Sequence, residues 1–466
     1  MLTYSFQDKG SDSLYEFLYK SIRDDIISGK LSQGEKLPSK RALADHLNIS
    51  TITIENAYNQ LMAEGYIYSR PKSGYYVSPI LSPMIHSPAE KHTYPADEPQ
   101  SQIQAYSVDF SGNSAAQESF PFVTWTKLMR QTMSDKREQL TLNSPSVGVR
   151  ELRCAISDYL FQFRGMTADP ECIVIGAGTE YLYSLIIQLL GRNKKYAVED
   201  PGYKKIAQIY RANNVDFDYI PLDAHGVDTT ALRNSGADVL HISPSHHFPT
   251  GIVTPVSRRY KLLTWASESE GRYIIEDDYD SEFRFSGKPI PSLQSIDTLD
   301  KVIYINTFSK SLTSTIRISY MVLPKELMKL YRQELSFYSC TVSNFEQYTL
   351  AAFIEQGYFE KHINRMRNYY RTQRDSVMTA IKNHPMYPKV RIKEEDSGLH
   401  FLMSVETNLS DDELTEKAES KGVNLSCLSH YYQNSDIAPQ HTLIINYSGL
   451  GKETVDEAVE KLFECI

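Results

Sequence analysis

A lysine follows a buried-looking strand in this chain, with hydroxyls on one side of it and an arginine on the other. The apolar stretch DKVIYI runs into NTFSKSLTSTIR, residues 306–317, where Thr307 and Ser309 precede Lys310 and Arg317 lies seven residues after it. A lysine removed from water has a lowered pKa and forms a Schiff base with an aldehyde. Thr307 and Arg317 could bind an anion beside it, and the planar guanidinium suits phosphate. Three further strand ends carry groups that the same ligand could use. GAGTE (176–180) lies between a strand and a helix, so the backbone N–H groups at Gly178 and Thr179 offer an anion site. EDDYD (276–280) supplies Asp277 and Tyr279, a carboxylate for a ring N–H and a phenol for a ring oxygen. EDPGY ends in Tyr203, which could stack on an aromatic ring. A glycine turn, an acidic loop or an exposed tyrosine is commonplace alone. Together, in order and at strand ends, they point to a ligand with an aldehyde, an aromatic ring and a phosphate.

Such residues need a scaffold that brings strand ends together. From about residue 108 to 466, apolar strands alternate with helical stretches: CIVIGAG, then EYLYSLIIQLLG, then KYAVEDPGY, ADVLHISPSH, YIIEDDY, KVIYINTFSK and ISYMVLP. This alternation predicts an α/β domain with a mixed or mainly parallel sheet covered on both faces. Sites in such sheets gather at the C-terminal strand ends.

Residues 11–78 read as a separate unit. Leu14, Leu18, Ile22 and Ile26 recur at helical spacing before Gly29. Ser39 is a candidate N-cap for the helix in LPSKRALADHL, and Ser50 for a helix burying Ile54, Ala57, Tyr58 and Leu61. YIYSRPKSGYYVS then predicts a two-stranded hairpin. Helix, helix, turn, helix and hairpin make a winged helix-turn-helix. On its third helix Thr51, Thr53, Asn56 and Gln60 could meet base edges, and Lys40, Arg41, Arg70 and Lys72 are candidates for phosphates. Residues 79–107 hold five prolines and read as a linker.

The 466 residues accommodate two or three domains, and the 41% hydrophobic and 23% charged content is ordinary for a soluble globular protein. Net charge is −9, which disfavours non-specific nucleic-acid binding. Residues 1–78 carry nine Lys/Arg and nine Asp/Glu, so the excess lies elsewhere and DNA binding would rest on local placement of basic groups. No apolar run approaches ~18 residues, which excludes a transmembrane helix. The N-terminus shows no basic region followed by an apolar one, so no signal peptide is expected. Five scattered cysteines without CxxC spacing predict a reducing cytoplasm and neither disulfides nor a zinc site.

The chain resembles the MocR/GabR group of GntR-type transcriptional regulators, which join a winged helix-turn-helix to a domain with the type I aminotransferase fold. The resemblance rests on LPSKRALADHLNISTITIENAYNQLMAEGYIYSRPKSGYYV, GVRELRCAISDYLFQFRG, VIGAGTEYL, EDPGY, PSHHFPTG, IIEDDYDSEF and TFSKSLTSTIRISY. It implies pyridoxal 5′-phosphate as cofactor, with Lys310 as its Schiff-base lysine, Asp277 on the pyridine nitrogen and Tyr279 on the ring oxygen. Tyr203 would stack on the ring. The backbone at Gly178 and Thr179, with Thr307 and Arg317, would hold the phosphate, and Ser309 would also contact the cofactor. The resemblance further implies double-stranded DNA as partner and a homodimer with the cofactor at the subunit interface.

The sequence departs from the group's pattern in several places. Phe248 stands where aminotransferases have asparagine, and His246–His247 precede it as loop residues near the cofactor rather than metal ligands. Ile444 falls where an arginine clamps the substrate carboxylate, and no arginine follows Arg391. Lys204 and Lys205 stand near the site in place of the arginines of GABA-responsive members, and Thr51 replaces an arginine in the DNA-reading helix. The missing clamp favours a sensor of pyridoxal phosphate itself, as in the regulators of vitamin B6 synthesis within the group. Sensing of an amino acid through the bound cofactor, and a working aminotransferase with an appended DNA-binding domain, are the alternatives.

Overall fold

The computed structural model describes residues 2–6, 12–79, 106–112, 120–285, 290–393 and 398–466. The chain divides into two compact units, residues 1–103 and 104–466. Most of the linker read at 79–107 lies outside the described residues.

The first unit contains α1 (Leu14–Ile27), α2 (Lys40–Leu47), α3 (Thr51–Ala63) and the hairpin β1 (Ile67–Arg70) and β2 (Gly74–Val77). Each helix begins where a serine satisfies an otherwise unpaired N–H. Ser13 forms a capping box with Glu16, Ser39 accepts from Ala42 N, and Ser50 accepts from Thr53 N. Leu18, Ile22 and Ile26 meet Ile54, Ala57, Tyr58 and Leu61 in one apolar core. Leu14, in the first turn, stays exposed instead of joining the stripe.

The second unit is built on an eight-stranded sheet and a smaller four-stranded one. Between β3 (Val108–Asp109) and β4 (Ile173–Gly176) come α4 (Phe122–Asp135), α5 (Arg137–Leu140) and α6 (Arg150–Arg164). After β4 follow α7 (Thr179–Leu190), β5 (Tyr196–Asp200), α8 (Lys204–Ala212), β6 (Phe217–Asp223) and β7 (Gly226–Val227). The large sheet is completed by β8 (Val239–Ile242), β9 (Tyr273–Asp277), β10 (Val302–Thr307) and β11 (Ser319–Val322). Its order is β4-β11-β10-β9-β8-β5-β6-β7.

Strands β10, β9, β8, β5 and β6 run parallel. Strand β11 is antiparallel to both β10 and β4, so β4 regains the direction of β10. The C-terminal ends of β4, β5, β9 and β10 therefore share one edge of the sheet. Adjacent residues of the central strands feed cores on opposite faces: Val239 and Ile275 belong to one, Leu240 and Ile274 to the other. Burial on both faces explains why these strands read as apolar runs.

The small sheet comprises β12 (Val390–Lys393), β13 (His400–Val405), β15 (Ser426–Cys427) and β16 (Thr442–Asn446), in order β12-β13-β16-β15. β14 (Val423–Asn424) pairs with β3 in register Val423 to Val108, which ties residue 108 to the C-terminal subdomain. Among the described residues no helix is long and apolar enough to cross a membrane, and the five cysteines are free.

Candidate functional site

Lys310 sits on a single helical turn, Phe308–Ser311, that begins where β10 ends. Thr307 caps that turn by accepting from Ser309 N at 3.1 Å, and its Oγ1 also accepts from Ser319 Oγ at 2.8 Å. Thr307 is thus committed largely to the turn that carries the lysine, where the sequence assigned it to phosphate. Ser309 likewise donates to the Ile316 carbonyl at 3.0 Å. Burial lowers the Lys310 amine from the usual lysine value to about 8, with Asp280 acting in the opposite direction.

A cavity of about 200 Å³ opens beside the lysine. Its lining includes Thr179, Tyr203, Asp277, Tyr279, Thr307, Ser309, Lys310 and Arg317, so it unites residues from four strand ends. Gly178 adjoins it: a Cβ there would lie 2.4 Å from Arg317 Nη2, and its φ of +93° is one that L side chains rarely adopt. The guanidinium can approach the start of α7 closely because that position is glycine.

Asp277 ends β9 with its two oxygens in different states. Oδ2 accepts from Tyr183 Oη at 2.5 Å, while Oδ1 is buried without a hydrogen-bond partner. The Tyr183 ring packs edge-on against His241, 4.9 Å between centroids. Nothing in their local sequence marks Tyr183, His241, Ser314 or Glu180 as site residues, yet Tyr183, Ser314 and Glu180 line the cavity. Tyr279 directs its hydroxyl toward His246 Nδ1 at 3.4 Å. Tyr203 is half-exposed and meets Phe248 edge-on at 5.9 Å.

The paired histidines are buried, and each has its own partner. His246 Nδ1 is 2.7 Å from Asp280 Oδ2, and His247 Nδ1 is 2.7 Å from Thr250 Oγ1. Burial lowers His247 to about 3, so it is neutral. Among the described residues no cluster of His, Cys, Asp or Glu could hold a metal ion. Ile444 is buried with Leu402 and Leu428, and Phe248, Tyr431 and Tyr432 pack against that cluster. The position expected to carry a carboxylate clamp thus lies in an apolar cluster, which meets the cavity through Phe248.

The residues expected to meet DNA stand differently. Thr51, Asn56 and Gln60 are exposed on α3, with Gln60 held by Glu64 at 2.5 Å, and Thr53 is bonded to Ser50 at 2.8 Å. Ile52, missed from the sequence, is 68% exposed beside them. Lys40 pairs with Glu55 at 2.5 Å, so its charge is already answered. Arg70 lies over the Tyr68 and Tyr76 rings, and Arg41 and Lys72 are exposed.

Comparison with known proteins bears on both units. Residues 14–77 match the family of bacterial regulatory proteins of the gntR type, and residues 108–462 match aminotransferase class I and II. The uncharacterized HTH-type transcriptional regulator YdeL of Bacillus subtilis is 38% identical over 96% of this chain and 96% of its own. This chain belongs to the MocR/GabR group of GntR-type regulators. Another relative of this MocR-type regulator is the pyridoxine biosynthesis regulator PdxR of Corynebacterium glutamicum, 28% identical over 89% of this chain and 88% of that one. Among solved structures, Pyrococcus horikoshii kynurenine aminotransferase in complex with PMP superposes with a TM-score of 0.68. It is 24% identical over 77% of the regulator and 90% of the enzyme.

Pyridoxal 5′-phosphate is the cofactor of the MocR-type regulator's second domain. The cavity fits it on its own terms: a buried acceptor without a donor at Asp277, an amine of lowered pKa at Lys310, and a glycine-enabled cation at the N-terminus of an α-helix. When bound, the cofactor supplies an aldehyde for the amine and an electron-withdrawing ring.

Proposed function

We propose that this regulator senses pyridoxal phosphate itself and reports it to DNA, with control of vitamin B6 synthesis as the role. The observation that carries this reading is the pairing of a cavity lined by Lys310, Asp277, Tyr203 and Arg317 with an apolar cluster at Ile444, on which the lining residue Phe248 packs. The only cationic side chains among the described lining residues are Lys205, Lys310 and Arg317. None of these offers a fork for a substrate carboxylate distinct from the phosphate site.

Within this proposal Lys310, in its neutral form, would hold the aldehyde, and Thr307 orients the turn that presents it. Asp277 Oδ1 would accept the ring N–H, with Tyr183 fixing the other oxygen. Arg317 and the backbone at Gly178 and Thr179 would hold the phosphate, and Tyr203 would cover the ring. In the first unit Asn56 and its neighbours on α3 read base edges, while Arg41, Arg70 and Lys72 meet phosphates. A second copy of the chain would cover the exposed apolar side chains of Val123 on α4, Leu142 and Phe345. They come from neighbouring elements: α4 packs on the helix Asn344–Glu355, whose Asn344 donates to the Leu142 carbonyl at 2.9 Å. Two copies would match two operator half-sites.

One observation favours an amino-acid effector instead. A second cavity of about 160 Å³ shares Tyr203 and Phe248 with the first and has Lys204 and Arg211 in its lining. The deciding experiment measures operator affinity across a titration of pyridoxal phosphate with no amino acid present. The sensing reading predicts a change in affinity or footprint. Constant DNA binding in that titration, followed by a response when an amino acid is added, would replace it with the amino-acid reading. Steady turnover of an amino acid with a keto acid would favour the enzyme.

A further inference from the structure

The phosphate end of the cofactor cavity contains a carboxylate. Glu180 is the second residue of α7, at the helix end whose N–H groups offer the anion site. Its Oε2 lies 3.1 Å from Arg317 Nη2, and its Oε1 pairs with Lys205 Nζ. All three side chains line the cavity with Lys310. They are 40–48% exposed, so the pairs can exchange with other ions. The Lys205 bond, with the charges of Lys205 and Arg317, outweighs burial and holds the Glu180 carboxyl below its usual range, so it is ionised at neutral pH.

A phosphate monoester brings roughly −1.5 to −2 charges to the same guanidinium. Glu180 and the phosphate therefore compete for Arg317. Lys205 is the one other cation in reach of the carboxylate among the contacts that Glu180 makes. We propose that Glu180 is a built-in counter-anion of the phosphate cradle: it occupies Arg317 when the cofactor is absent and loosens the cofactor's hold. Lys205 draws the carboxylate aside as phosphate enters, and so assists binding without touching the phosphate. The proposal rests on the sensing function proposed above, because a sensor must release its ligand over the concentrations it reports. A purely structural role for Glu180, favouring the positive end of α7, predicts no gain in cofactor affinity on neutralising it.

The test uses the full-length apoprotein without DNA. Pyridoxal phosphate affinity is read from the visible absorption band, and inorganic phosphate affinity from ligand-induced thermal stabilisation, which does not depend on Lys310 chemistry. Glu180→Gln should tighten both about tenfold, an effect that shrinks as salt is raised. Glu180→Ala should show the same sign, and guards against a fold-specific failure of the first variant. Lys205→Met should weaken both in the wild-type background and change them less than twofold in the Glu180→Gln background. Unchanged or weaker binding by the folded Glu180 variants overturns the counter-anion. An equal Lys205→Met penalty in both backgrounds makes the lysine a direct phosphate ligand and overturns its relay role. These affinities are read without DNA, so their failure leaves the sensing reading intact. An absent DNA response leaves the affinities as measured.

Discussion

Arg41, Asn56 and Lys72 stand exposed around small, serine-capped helices, whereas Asp277, Thr307 and Lys310 are held at the end of a sheet buried on both faces. The first unit leaves its candidate DNA contacts open to solvent. The second withdraws its groups from water, and burial alters what they do. It lowers the Lys310 amine to about 8 and leaves Asp277 Oδ1 without a partner. A surface reader can lose one contact and stay folded. A buried site couples each functional group to the packing around it.

The largest effect that separates the two regions is expected at Lys310. Lys310→Ala should abolish the reductively trapped cofactor adduct and the visible band, while the unliganded protein keeps its DNA affinity. In the wild type, capture of the cofactor should accelerate as pH rises through about 8, because the neutral amine attacks and burial sets its pKa there. A trapped adduct on another lysine, or a midpoint near the ordinary lysine value, would break this part of the comparison.

Asp277→Ala should come next, because it combines lost binding with lost stability. It strips the Tyr183 hydroxyl of its acceptor, and an unsatisfied buried group costs about 1–3 kcal/mol. A melting temperature below wild type, together with weaker cofactor binding, is the expected pair of results. Unchanged stability would mean that the site is less tightly coupled to its packing than the hydrogen bond indicates.

The smallest effects should lie in the first unit and spare stability. Asn56→Ala should lose about 1–3 kcal/mol of discrimination between target and non-target DNA. Arg41→Ala should weaken both alike and lower the salt slope by about one. A fall in melting temperature with either would erase the distinction between exposed and buried groups.

Sequence spacing was informative wherever function rests on local periodicity. The caps at Ser39 and Ser50 and the buried face Ile54, Ala57, Tyr58 and Leu61 are written in helical repeats, and all of them appear in the fold. The strand ends carrying Asp277, Lys310 and Gly178 were marked by apolar runs that stop at polar residues. Partnerships across the fold were not legible. Tyr183 and Asp277 are 94 residues apart, and Glu180 and Arg317 are 137 apart. No local period links such pairs, and the order of the sheet brings them together. The same reason explains Thr307: its hydroxyl reads as a phosphate ligand in sequence, and only the fold shows it capping the lysine's turn. Lys40 reads as a free cation until α3 places Glu55 against it.

A sensor of this kind requires cofactor occupancy and DNA binding to be linked, and linkage is reciprocal. The most direct test is the affinity of the full-length protein for pyridoxal phosphate, measured with and without saturating operator DNA. Two different affinities are expected, whose ratio equals the factor by which the cofactor changes operator affinity. Identical cofactor affinities in the two conditions would contradict it.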